Sequence, residues 1–137
     1  MKLSSCKVLL IEDERIVREI VVRMLNFIGI THVAEAASAE AAWSYLISEE
    51  NKGLHLIITD LTLPGISGVA FVRRLRSLPT AAAAALPIIV LTASSDLETY
   101  RKAAQAKISG YLIKPVTPAL LRVAIEKDIQ PENQASV

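Results

Sequence analysis

The sequence predicts an α/β protein built as a doubly wound parallel sheet, and three observations carry that prediction. Four short apolar runs, residues 8–11, 56–58, 88–91 and 111–113, are continuous in aliphatic or aromatic residues instead of alternating with polar ones. Strands buried on both faces read this way, whereas a strand with one wet face alternates. Between the runs lie segments with apolar residues at three- and four-residue intervals, the spacing of a helix that packs one face on a sheet. Finally, each run ends in a polar or charged residue: Glu12 and Asp13, Asp60, Thr92, and Lys114. If the runs are parallel strands, these side chains gather at one edge.

In chain order, the first run leads into Ile16, Ile20, Met24 and Ile28, which make one helical face. Residues 31–36 read as a second, weaker strand, followed by a helix carrying Trp43, Leu46 and Ile47. The run 56–58 precedes a helix with Phe71, Val72, Leu75 and Leu78, and residues 79–87, with alanines at 81–85, extend that helix or form a loop. After the run 88–91, Ser95 with Glu98 three residues later offers a capping box for the fourth helix. After the run 111–113, Thr117 followed by Pro118 places a cap residue before a proline at the first helical position. Five strands alternating with five helices suggest a flavodoxin-like (βα)5 domain with sheet order 2-1-3-4-5, whose ligands bind at the carboxyl ends of strands 1 and 3. Those ends carry Asp13 and Asp60. Residues 1–128 form the domain, and 129–137, polar after Pro131, read as a frayed tail.

At 137 residues the chain suffices for one domain with its own core. Apolar residues make up 52% and charged residues 21%, against wholesale disorder, and aromatics at 4% leave the core mainly aliphatic. A net charge of +1 supplies no field to attract nucleic acid, and the aromatics do not interleave with basic residues as a base-stacking platform requires. Cys6 is the only cysteine, so no intrachain disulfide forms. With neither a signal peptide nor a transmembrane segment legible, the cytoplasm is the expected compartment, with no membrane partner. Cys6, His32 and His55 lack clustered partners at metal-ligand spacing and read as packing or surface residues.

Glu12, Asp13 and Asp60 would place three carboxylates in one pocket, which like-charge repulsion disfavours unless a cation or proton is shared. Magnesium suits such oxygen donors. The same acids could equally decorate the first turn of a helix, where the dipole favours them. Asp60 could initiate a turn before Pro64 and Gly65, but that leaves its place at the end of a buried strand unexplained. A carboxylate there can attack phosphorus and form an aspartyl phosphate, with a metal neutralising the transferred oxygens. Lys114 could snorkel to solvent or hold a phosphoryl oxygen as a compact charge. Thr92 is either a strand-favouring residue or a hydroxyl donor to the phosphate, with small Ala93 leaving room for the group to enter.

These residues resemble the receiver domain of two-component response regulators over nearly the whole chain, from about Lys7 to Lys127. The resemblance rests on Leu10-Ile-Glu-Asp-Glu14, Asp60-Leu-Thr-Leu-Pro-Gly-Ile-Ser-Gly68, Leu91-Thr-Ala93 and Tyr111-Leu-Ile-Lys-Pro115. It implies a phosphorylation-controlled signalling switch rather than a turnover enzyme. Asp60 would accept phosphate from a phosphohistidine on a sensor histidine kinase or histidine phosphotransfer protein. Glu12, Asp13, Asp60 and the backbone carbonyl of Thr62 would hold Mg2+ or Mn2+. Lys114 would contact the phosphoryl group, Thr92 sense it, and Tyr111 change rotamer as Thr92 moves inward. Thr62 and Ser94 fall at the positions that tune phosphate lifetime, and neither side chain is suited to orient an attacking water. The Lys114–Pro115 bond is expected to be cis. Output would pass through a surface of fourth helix, fifth strand and fifth helix, including Tyr100, Lys107 and Tyr111, to a downstream protein or to an output domain outside this chain.

Two departures from the family pattern stand out. Glu12 replaces a common aspartate, adding a methylene that can make its metal contact indirect. Lys107 and Ile108 replace a frequent Gly-Ala, so the fourth helix lacks its easy glycine cap and a shifted or mobile end is expected. The rival readings are a degenerate receiver acting as a constitutive interaction module, which the pairing of Asp60 with Lys114 opposes, and a flavodoxin-like enzyme. The latter lacks a glycine-rich phosphate loop after the first strand, and Asp60-Leu-Thr lacks a second acid.

Overall fold

The computed structural model describes residues 2–48, 53–78 and 84–129. A short 3-10 turn, Leu3–Ser5, precedes β1 (Lys7–Ile11), α1 (Arg15–Phe27), β2 (His32–Ala36), α2 (Ala39–Ile47), β3 (Leu56–Thr59), α3 (Gly68–Arg76), β4 (Ile88–Thr92), α4 (Leu97–Gln105), β5 (Gly110–Ile113) and α5 (Pro118–Asp128). The strands form one parallel sheet in the order β2-β1-β3-β4-β5, as the alternation of runs and helical segments predicted. No helix among the described residues is long and apolar enough to cross a membrane.

Continuity of the apolar runs has the expected cause at the centre of the sheet. Every residue of β3 and β4 and the last four of β1 are buried, because side chains alternate between two covered faces. Val8, Leu10, Ile58 and Leu91 join Val21, Leu25, Leu121 and Ile125 on the side of α1 and α5. Leu9, Ile11, Ile57 and Ile88 join Ala42, Leu46, Phe71 and Leu75 on the side of α2 and α3. The edge strands β2 and β5 are only partly covered.

Three local expectations need correction. The inward face of α1 runs through Val21, Leu25 and Ile28, while Ile16 is 72% exposed and Ile20 is 46% exposed. A strict four-residue spacing drifts around a 3.6-residue helix, so Ile16 and Ile20 rotate out to solvent. Ile47, assigned to the buried stripe of α2, is likewise exposed, and Ala39, Ala42 and Leu46 face the core. The Ser95–Glu98 capping box does not form. Asp96 caps α4 instead, accepting hydrogen bonds from the backbone N–H and the hydroxyl of Thr99, because a carboxylate one residue later reaches the free N–H groups directly. The Thr117 cap with Pro118 at the first turn of α5 is present.

The C-terminal end of α4 closes at Lys107 without a glycine. Lys107 itself takes the left-handed conformation, with φ of 62°, and its N–H donates to the Ala104 carbonyl at 3.0 Å. A non-glycine residue there carries roughly 1 kcal/mol of backbone cost. The linker reading falls largely on residues 79–83, outside the described residues, as does the tail from residue 130. Ile129, grouped with the tail from sequence, is buried against the α1 and α5 side of the core.

Candidate functional site

Register alone brings the chain-distant polar residues to one edge. Ile11 pairs with Thr59, Thr59 with Val90, Val90 with Tyr111 and Thr92 with Ile113, so Glu12, Asp60 and Lys114 emerge together beyond the strand ends. Backbone hydrogen bonds continue past the strands, from Asp60 N–H to the Ile11 carbonyl at 3.2 Å and from Lys114 N–H to the Thr92 carbonyl at 2.8 Å. The side chains are thereby fixed by the sheet and not by flexible loops.

Oxygens of Glu12, Asp13 and Asp60 lie within 4.8 Å of one another. Glu12 and Asp60 are buried and Asp13 is exposed. The first turn of α1 holds no acidic residue, so Glu12 and Asp13 precede the helix and do not decorate it. Lys114 Nζ donates to Glu12 Oε1 and, at 2.7 Å, to Asp60 Oδ2. The other Glu12 oxygen accepts from the Glu14 N–H at 3.1 Å, and Asp60 Oδ1 accepts from the Thr62 N–H at 2.9 Å.

Burial pushes the Glu12 carboxyl up from its ordinary value, against the opposing pull of Lys114 and the Glu14 N–H. Burial pulls the Lys114 ammonium down, but its hydrogen bonds to Asp60 and Glu12 more than offset this, so its net shift is upward. The donor set is all oxygen, anionic and half-sequestered, with one open carboxylate at Asp13. These properties fit a hard divalent cation such as Mg2+, which usually retains several waters.

Around this cluster sit the residues singled out for sensing. Thr92 is fully buried, and its hydroxyl oxygen accepts from the Ser94 N–H at 3.3 Å. Tyr111 reaches from β5 to the loop after β4, donating its hydroxyl to the Ser94 carbonyl at 3.0 Å, and its ring meets Tyr100 edge-on with centroids 5.2 Å apart. Burial raises the Tyr111 phenol above its ordinary value, only partly offset by the Ser94 contact. Ser94 Oγ accepts from the Asp96 N–H at 3.3 Å, while the Thr62 side chain is exposed. The Lys114–Pro115 bond is cis.

Three further residues support the cluster, and of these only Gly68, the last residue of the Asp60–Gly68 motif, carried a sequence signal. Arg18 Nη1 donates to the Glu12 carbonyl at 2.8 Å and its Nε pairs with Glu35 at 3.3 Å, bracing the acidic turn through the backbone. Gly68 lies so close to the strand end that an added Cβ would fall 2.2 Å from Leu61 Cα, and its N–H donates to the Leu61 carbonyl at 2.9 Å. Only glycine permits that approach, which draws the start of α3 against the residue following Asp60. Arg76 gathers backbone carbonyls at the far end of α3.

Residues 8–126 match the family model described as response regulator receiver domain. The chain is 31% identical over 127 residues to the chemotaxis protein CheY of Pseudomonas aeruginosa, covering 93% of this chain and 98% of the relative. Among solved structures, it is similar to a response regulator receiver protein from Pseudomonas putida, with a TM-score of 0.79 and 31% identity over 89% of this chain and 96% of that one. A receiver domain protein from Clostridium thermocellum gives a TM-score of 0.81 at 26% identity, over 95% and 98% of the two chains.

Proposed function

We propose, because this chain belongs to the response regulator receiver domain family, that it is a phosphorylation-controlled switch whose phosphoacceptor is Asp60. The observation that carries this reading is the contact of Lys114 Nζ with Asp60 Oδ2 at 2.7 Å beside the Glu12–Asp13 pair. In the step we envisage, an Asp60 oxygen attacks the phosphorus of a phosphohistidine on a sensor kinase or phosphotransfer protein. The P–N bond breaks as the P–O bond forms, and the imidazole nitrogen keeps the electron pair and takes up a proton.

Glu12, Asp13, Asp60 and the Thr62 carbonyl are the groups that would hold Mg2+ or Mn2+. The cation would supply charge neutralisation on the phosphoryl oxygens. Lys114 is placed to move from the Asp60 carboxylate to the new phosphoryl group without leaving the pocket. The Thr62 N–H orients Asp60 by holding its other oxygen.

Signalling follows as a shift in population between arrangements of Thr92, the following loop and Tyr111. The Tyr111–Ser94 hydrogen bond already couples β5 to that loop, so a change at Thr92 is felt at Tyr111 and Tyr100. With Ser94 Oγ turned toward the start of α4 and Thr62 lacking a carboxylate or amide, neither orients a hydrolytic water well, and we expect slow loss of the phosphate.

Incubation with a small phosphodonor and Mg2+, followed by intact-mass measurement, tests the reading. Wild type should gain one base-labile phosphate and Asp60→Asn none. Equal labelling of the two would overturn the assignment.

A further inference from the structure

Helix α4 is buried only toward its C-terminal end. Ala103 and Ala106 are buried, whereas Leu97 is 59% exposed and Tyr100 is 46% exposed. The first turn is held by the Asp96 cap and by the ring contact of Tyr100 with Tyr111. At the other end, the half-buried Arg76 reaches across from the last position of α3. Its Nε donates to the Ala106 carbonyl at 3.4 Å, Nη1 to the carbonyls of Ala84 at 3.0 Å and Leu86 at 2.6 Å, and Nη2 to the Lys107 carbonyl at 2.6 Å.

Helix ends leave carbonyls without intrahelical partners, and a cation there also opposes the negative end of the helix dipole. Among the described residues no ion pair neutralises Arg76, so its charge is directed wholly at backbone oxygens of two segments, 84–86 and 106–107. One of those segments is the left-handed turn at Lys107, where the usual glycine is missing.

We propose that Arg76 is the pivot of the switch: a positioning residue that pins the C-terminal end of α4 and its turn into β5, so that rearrangement is confined to residues 94–101. What drives the movement rests on the phosphorylation reading above; the pin does not.

Amide hydrogen exchange read by mass spectrometry, with and without beryllofluoride and Mg2+, tests the proposal in wild type, Arg76→Gln, Arg76→Lys and Arg76→Gln/Lys107→Gly. In wild type, beryllofluoride should alter exchange in 94–101 and leave 103–109 unchanged. Without ligand, Arg76→Gln should speed exchange in 103–109 by about tenfold, the sign of a local opening. Arg76→Lys, which keeps the charge but loses the fork, should do so by less. Lys107→Gly should restore part of the protection, since it relieves the left-handed turn that Arg76 holds.

Unchanged exchange in 103–109 in both single Arg76 variants overturns the pin, as does a wild-type response spread over all of α4. Should Arg76→Gln not fold, Arg76→Lys decides by the same criterion. Failure of beryllofluoride to act on wild type would sink the phosphorylation reading, while the ligand-free comparison still decides the pin.

Discussion

Helices α3 and α4 each have nine residues and lie against one another, yet they are held to the sheet in opposite ways. Helix α3 buries Gly68, Phe71, Val72 and Leu75, and α4 buries Ala103 alone. Fully burying a large apolar side chain contributes about 1.5–3 kcal/mol, so the aliphatic and aromatic face of α3 fixes it far more firmly than a single methyl group fixes α4. The difference teaches where this fold concentrates its cohesion. Helix α3 anchors the loop that follows Asp60, while α4 rests on hydrogen bonds at its two ends, the Asp96 cap at the first and Arg76 at the last.

Phe71→Ala should cost about 3–5 kcal/mol in urea denaturation, while Leu97→Ala should change stability by no more than about 0.5 kcal/mol. Comparable losses from the two would break the comparison outright. Gly68→Ala drives a methyl group into the backbone of Leu61 and should cost about 1–3 kcal/mol. Because Leu61 follows Asp60, it should also slow phosphate uptake from a small donor, measured as the rate of intact-mass gain.

Asp96→Ala removes the cap of α4 and should weaken that helix by about 0.5–2 kcal/mol. If α4 is loosely attached, the loss appears as faster amide exchange in 97–101 with a smaller change in the global midpoint; an equal fall in both would mean that α4 unfolds only with the whole domain.

The last effect, felt only at alkaline pH, concerns Cys6, in the core on the opposite side of the sheet. Burial pushes its thiol up from 9.0 to about 11, so the native chain holds that proton more tightly than the unfolded chain. The stability involved is intact below pH 9, declines as the unfolded thiol ionises, and is gone above about pH 11. Melting temperatures from pH 8 to 11 should therefore fall more steeply for wild type than for Cys6→Ala, with exchange in α4 following the same course in both.

Much of the candidate site was legible because it is a matter of strand ends. A parallel strand buried on both faces must be a continuous apolar run, and the polar residues that close it lie at the carboxyl edge, so Glu12, Asp60, Thr92 and Lys114 could be placed together from the sequence. Helix faces were less legible. In α1, so many residues are aliphatic that Ile16 and Ile20 matched a stripe as well as Val21 and Leu25 did, and only contact with β1 and α5 distinguishes them. The α4 cap was misplaced by one residue because Ser95 and Asp96 are both good cap residues and sequence spacing favours the first.

The sequence by itself determined the strand pattern, the class of fold and the set of polar residues at its working edge, because burial on two faces leaves a one-dimensional trace in the chain. Tertiary structure alone decided which oxygens Lys114 joins, that Lys107 would accept a left-handed backbone, that Gly68 must lie against Leu61, and that Arg76 would tie three segments together. Those outcomes depend on distances between residues far apart in the chain, and a guanidinium that seeks backbone carbonyls has no partner residue type for a sequence pattern to reveal.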